Sequence, residues 1–162
     1  MSFRWGHINI NVADLDASRA FYGELGFEVM IPGIPYLGLN MNEPAAVAAD
    51  ARSILGLPEG TTGRACIMQL GDSFPKIDLT ELQVPDARSP LTNQDIGIVR
   101  MCLGSSDLAA DCARLASAGI AILSGPGTAG DGLADVAIVR DLDGTLIELI
   151  QPHLEKWATL RR

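Results

Sequence analysis

The sequence predicts an α+β fold in which two pseudo-repeated βαβββ modules form a curved mixed sheet with a concave pocket. Three observations lead there. A strictly alternating stretch near the start is followed by a capped helix, the same pattern returns 93 residues later, and each half closes on a Leu- and Ile-rich strand carrying a glutamate.

A strand over 5–12 is expected because from Gly6 to Val12 the chain alternates, with Ile8, Ile10 and Val12 on one face and His7, Asn9 and Asn11 on the other, the period of a half-buried strand. Asp14 stands where its carboxylate can cap a helix over 14–25. Leu15, Tyr22 and Leu25 form the apolar stripe of that helix and Gly26 supplies the left-handed residue that ends it. A strand over 27–31 follows. The Ala-rich stretch from Asn42 to Arg64 has Pro44 at a first helical turn and closes through Gly56, Pro58 and Gly60, which predicts an inserted helix at about 44–56 and a loop. Strands over 64–71 and 76–83 complete the first half, and a polar, Pro-containing linker spans 84–95. The second half reads as strand 97–104, helix 107–118 and strands 120–124, 134–140 and 145–151. Gly125 to Gly132 joins two of these strands as a glycine-rich loop, and since no helix follows it, a phosphate cradle is not expected. Asp143-Gly144 between strands reads as a hairpin turn.

The two halves are copies. Asp14, Leu15, Gly26 and Phe27 map onto Asp107, Leu108, Gly119 and Ile120 at one constant offset of 93, the signature of an internal duplication, and the same shift carries His7 onto Arg100. Ile77 to Leu82 resembles Thr145 to Leu149 with Glu81 over Glu148, an offset of 67, so this alignment assigns 26 extra residues to the insertion.

At 162 residues and 48% apolar composition the chain can bury a sizeable core, and one domain over 1–162 is expected, with modules at about 5–83 and 97–151 that are each marginal alone. The formal net charge of −8 argues against a nucleic-acid partner, which needs clustered cations, and Arg161 and Arg162 do not alter that. No apolar run reaches the roughly 18 to 20 residues that span a bilayer, and no basic segment precedes an apolar one at the start, so no membrane partner and a cytoplasmic location are expected. Cys66, Cys102 and Cys112 are odd in number and lack C-x-x-C spacing, which predicts free thiols.

The run HININVADLDASRAFYGELGF from His7, its repeat, and the closing RDLDGTLIELI from Arg140 resemble the vicinal oxygen chelate superfamily of glyoxalases, bleomycin resistance proteins and dioxygenases. The resemblance covers nearly the whole chain apart from the insertion and the tail. It implies a divalent metal (Mn, Fe, Ni, Co or Zn) held by one side chain from the first strand and one from the last strand of each half, hence His7, Glu81, Arg100 and Glu148. Three of these can be ligands; Arg100 cannot, because a guanidinium has no lone pair to give. Arg100 is then a clamp for a substrate carboxylate or phosphate, or the neutralising partner of Glu81 or Glu148. Glu81 and Glu148 are candidate catalytic carboxylates beside a metal-bound carbonyl, and Asn9 and Asn11, on the His7 face, are candidate substrate contacts. Tyr36 and Met68 are further lining candidates. Cys102 shares the Arg100 face but has no histidine to activate it except His7, and His153 reads as a tail histidine. Two functions follow. One is a metal-dependent isomerase or lyase acting on a small carbonyl or carboxylate substrate through an enolate-type intermediate. The other is a metal-free small-molecule binding or sequestering protein of the bleomycin-resistance type, with Arg100 replacing a metal ligand. The resemblance also implies a homodimer.

Overall fold

The structure, a computed structural model, describes residues 4–84 and 89–157. Linker residues 85–88 and the tail arginines lie outside them. The chain divides into two compact units, Met1–Arg88 and Ser89–Arg162.

In the first unit, β1 (His7–Asn11) leads into α1 (Leu15–Glu24), where Asp14 caps the helix by accepting the Ala17 N–H at 3.0 Å. Gly26, at φ 94°, takes the left-handed turn that lets the chain leave the helix for β2 (Glu28–Ile31). The insertion follows: β3 (Gly33–Ile34), a 3-10 turn (Pro35–Leu37), β4 (Leu39–Asn40), β5 (Ala45–Ala46) and α2 (Ala49–Leu55). The helix expected from Pro44 starts five residues later. Asn40 explains the delay, because its side-chain oxygen accepts the N–H groups of Asn42 and Glu43 and folds that segment into a turn. β6 (Thr62–Gln69) and β7 (Lys76–Gln83) complete a sheet of order β1-β7-β6-β2, in which β5 also pairs with β6.

The second unit repeats the plan without an insertion. β8 (Arg100–Gly104) precedes α3 (Leu108–Ser117), capped by Asp107 on the Ala110 N–H and ended at Gly119, φ 85°. β9 (Ile122–Thr128), β10 (Ala134–Arg140) and β11 (Leu146–Pro152) give the order β8-β11-β10-β9, and a short α4 (Leu154–Trp157) follows. The glycine-rich run is therefore not all loop: it continues β9 to Thr128 through an irregular register against β10. At Gly125 a Cβ would run into the Val136 carbonyl oxygen, so the close approach itself requires glycine. The Asp143-Gly144 turn forms, with Asp141 Oδ1 accepting the N–H groups of residues 143, 144 and 145.

In both units the first strand runs parallel to the last, and the remaining pairs are antiparallel. One face of each sheet carries the helix. In the first unit Ile10, Cys66, Met68, Ile77 and Leu79 are buried with Leu15, Phe21 and Tyr22, and Tyr22 meets Phe21 and Phe27 edge to face. In the second, Leu108, Cys112 and Leu115 of α3 are buried with Val139, Ile147 and Leu149. The first unit has a second small core on the opposite face, where Ile34, Leu37, Leu39, Val47 and Ala51 of the insertion pack with Ala65. The insertion thus roofs part of the face that carries His7. Among the described residues, no helix is long and apolar enough to cross a membrane.

Candidate functional site

The polar face of the first unit is built by β1 and β7. Residues opposite one another in parallel strands share a face, and Asn9 stands opposite Asp78, Asn11 opposite Thr80. Thr80 Oγ1 donates to Asn11 Oδ1 at 2.6 Å, and Asn9 Nδ2 donates to both Asn11 Oδ1 and Thr80 Oγ1. The two asparagines are therefore committed to a ladder with Thr80. His7 and Asp78 complete the row, with His7 Nε2 at 3.6 Å from Asp78 Oδ2. The His7 side chain is 46% exposed, while that of Asp78 is 1% exposed. Neither carboxylate oxygen of Asp78 has a hydrogen-bond partner among the described residues. Burial raises the Asp78 carboxyl above the ordinary aspartate range, and the nearby His7 charge offsets part of that rise. The Tyr36 phenol of the insertion is also raised, by burial and then by the negative charge of Asp78. Met68 is buried on the helix-bearing face and lines nothing here.

Glu81 does not join this row. It lies on the opposite face of β7, where its Oε2 accepts the Leu15 N–H at the start of α1 at 2.7 Å. Arg64 holds it there, donating from Nη2 to Oε2 at 2.6 Å and from Nε to Oε1 at 3.2 Å, and also reaches Asp16 at 2.7 Å. The Glu81 and Asp16 carboxylates push the Arg64 guanidinium further up, and Arg64 holds Asp16 below the usual carboxylate range. In the second unit Gln151 does the same work, its Oε1 accepting the Leu108 N–H at 2.7 Å. Glu81 and Gln151 are the true counterparts.

That pairing corrects the alignment of the two halves. Asp78 faces Asn9 as Glu148 faces Cys102, so Asp78 corresponds to Glu148 at an offset of 70 rather than 67. The insertion is then 23 residues, the difference between 93 and 70, instead of 26. The first-unit equivalent of Glu148 is Asp78, a residue the sequence comparison passed over because Glu81 matched by type.

In the second unit Arg100 and Glu148 meet. Arg100 Nε donates to Glu148 Oε2 at 2.6 Å, Arg100 Nη1 donates to Asn93 Oδ1 at 2.9 Å, and the side chains of Arg100 and Glu148 are 40% and 18% exposed. Cys102 lies beside them, its thiol raised by burial and then by the Glu148 carboxylate. His153 reaches back to Asp135 at 3.3 Å, and so is a tail residue with an ion-pair partner.

These donors do not fit the divalent ion that the fold implies. Of the corrected positions, Arg100 has no lone pair and Glu148 is already neutralised by a guanidinium at hydrogen-bond distance, which leaves His7 and Asp78 as two open donors, too few to hold the ion, while Glu81 is spent at a helix start. Among the described residues, no group of three or more His, Cys, Asp and Glu side chains could hold a metal ion.

The fold has many relatives of known structure. A glyoxalase family protein from Bacillus cereus is 18% identical over 94% of this chain and 95% of its own, with a TM-score of 0.72. The trypanothione-dependent glyoxalase I of Leishmania major is 21% identical over 99% and 94%, TM-score 0.62. An antibiotic binding protein from a Streptomyces species is 21% identical over 94% and 97%, TM-score 0.60. No protein of curated description matches the sequence. The family model of the glyoxalase/bleomycin resistance protein/dioxygenase superfamily matches residues 4–149, and the chain belongs to that superfamily.

Proposed function

We propose that this chain is a metal-free small-molecule binding protein of the superfamily, in which an internal cation stands where metal-using relatives place a ligand. The observation that carries this reading is the bond from Arg100 Nε to Glu148 Oε2 at 2.6 Å. A charge-assisted hydrogen bond of this length satisfies the carboxylate, and a divalent ion would have to break it while lying against a permanent positive charge. A guanidinium has five N–H donors and the two contacts of Arg100 among the described residues use two of them, so its half-exposed remainder can meet a carboxylate, carbonyl or phosphate of a bound molecule. The antibiotic binding protein with this fold supports a binding role as one that the architecture accommodates.

Equilibrium dialysis of the full chain, purified without chelator, against Mn, Fe, Co, Ni and Zn tests the reading. The expected result is no stoichiometric uptake of any ion. One equivalent bound at micromolar concentration in the wild type, and lost in His7→Ala, overturns it in favour of a metal-dependent isomerase or lyase.

A further inference from the structure

The polar face of the first unit holds an acceptor with nothing to accept. Asp78 is shut away from water, and both of its oxygens lack partners among the described residues. The Lys76, Thr80 and Asn9 donors beside it are engaged elsewhere. Lys76, two residues earlier on the same face, gives its ammonium to Gln69 Oε1 at 3.1 Å and lies over the Phe74 ring. Thr80 donates to Asn11, Asn9 donates to Asn11 and Thr80, and the residue opposite on β6 is Ile67, which has nothing to donate. Among the described residues the His7 imidazole is its ion-pair partner, at 3.6 Å, outside the range of a good N–H···O bond, and the Tyr36 phenol, which feels the Asp78 charge, makes no hydrogen bond to it.

We propose that Asp78 is the receptor for a primary ammonium group of the bound molecule. This rests on the metal-free reading above and names the chemistry of one end of the ligand. The ammonium enters by displacing His7, whose half-exposed side chain is free to turn away, and donates to both Asp78 oxygens. It brings the charge and the donors that a buried carboxylate lacks. A chain of net charge −8 draws organic cations towards it.

The test uses benzylammonium, with benzyl alcohol and benzoate as controls of similar shape, and isothermal titration calorimetry on the full chain. Benzylammonium is expected to bind at least tenfold more tightly than either control, to lose at least tenfold in affinity in Asp78→Asn, and to bind His7→Ala as well as or better than wild type. Asp78→Ser replaces Asp78→Asn if the latter does not fold. Equal binding of benzyl alcohol, undiminished binding by the Asp78 variant, or no binding at all in a protein that takes up no Mn overturns this inference alone. A tenfold loss in His7→Ala matching that of the Asp78 variant overturns it too, because the ligand would then need both side chains. Uptake of Mn by the wild type overturns the metal-free reading and this inference with it.

Discussion

Replacing Glu81 separates a structural carboxylate from a ligand-binding one. Its oxygens accept three hydrogen bonds, from the Leu15 N–H and from two nitrogens of Arg64, and both side chains are largely buried at 18% and 16% exposure. Glu81→Ala removes all three and leaves Arg64 with Asp16 alone. Breaking a buried pair costs roughly 3–5 kcal/mol, and with a sixth of the pair exposed and Asp16 still in place the lower end applies, about 3 kcal/mol. Glu81→Gln keeps an acceptor for Leu15, as Gln151 does for Leu108, and forfeits only the charge. The difference between charged and neutral hydrogen bonds puts that loss at about 1 kcal/mol. For a chain of this length each kcal/mol moves the melting temperature by about 2–4 °C, so thermal melts followed by circular dichroism should show drops of about 6–12 °C for Ala and about 2–4 °C for Gln. Ligand binding measured below the transition should be unchanged in both. Unaltered melting with lost binding would refute the placement of Glu81 at the helix start, and equal losses for Gln and Ala would refute the division between acceptor and charge.

Three further outcomes follow from the same geometry. Asp78→Asn should stabilise the chain at pH 7, because a buried charge without donors is penalised more than the neutral amide that replaces it. The sign follows from the raised Asp78 pKa. Between the ordinary aspartate value near 3.9 and the raised one, the folded state holds a proton that the unfolded state releases, so wild-type stability falls as pH rises through the folded value. The gain should therefore vanish in melts below about pH 4, and a gain independent of pH would contradict it. Among the three thiols, the exposed Cys102 should react with iodoacetamide in the native protein while the buried Cys66, pushed up to about 11, does not. Glu148→Gln should speed Cys102 labelling at fixed pH by removing the charge that disfavours the thiolate. Gly63→Ala should destabilise by about 1–3 kcal/mol in urea melts, since its Cβ would press on the Glu81 carbonyl oxygen.

Much of this architecture was legible where one face of an element meets water. Asp14 and Asp107, Gly26 and Gly119 announced both helices by type and spacing, and the structure caps and ends α1 and α3 with those residues. β1 alternates because its polar face is exposed at His7, Asn9 and Asn11. β7 alternates too, Lys76, Asp78 and Thr80 against Ile77 and Leu79, although all five are buried, the helix covering one side and the insertion packing on the other. That alternation already puts Asp78 on the polar face and Glu81 on the face of Ile77 and Leu79, where a lone glutamate among apolar residues breaks the pattern. The match of Glu81 to Glu148 by residue type then slipped the register by three, an odd number, and an odd slip exchanges the two faces. The insertion was misread for a related reason. Alanine-rich composition favours helix, but α2 has no side-chain cap at Ala48, and Ala45 and Ala46 pair instead with Gly63 and Thr62.

Corresponding positions in the two units now hold one base and one acid each, and they are not equally satisfied. Arg100 closes on Glu148 at 2.6 Å in a half-open setting, whereas His7 stops 3.6 Å short of an Asp78 that the insertion helps to bury. The duplication gave both units the same two positions, so the asymmetry comes from what was added to the first. Roofing the polar face removed water from Asp78 without giving its oxygens a hydrogen bond, and the basic group beside it among the described residues is a half-exposed imidazole. An unsatisfied carboxylate persists at a cost to stability, which is what a binding site incurs when its missing partner arrives with the ligand. By this reasoning Asp78→Asn is the one substitution here that should raise stability and abolish ammonium binding together, and a variant that gained one without losing the other would break the link between them.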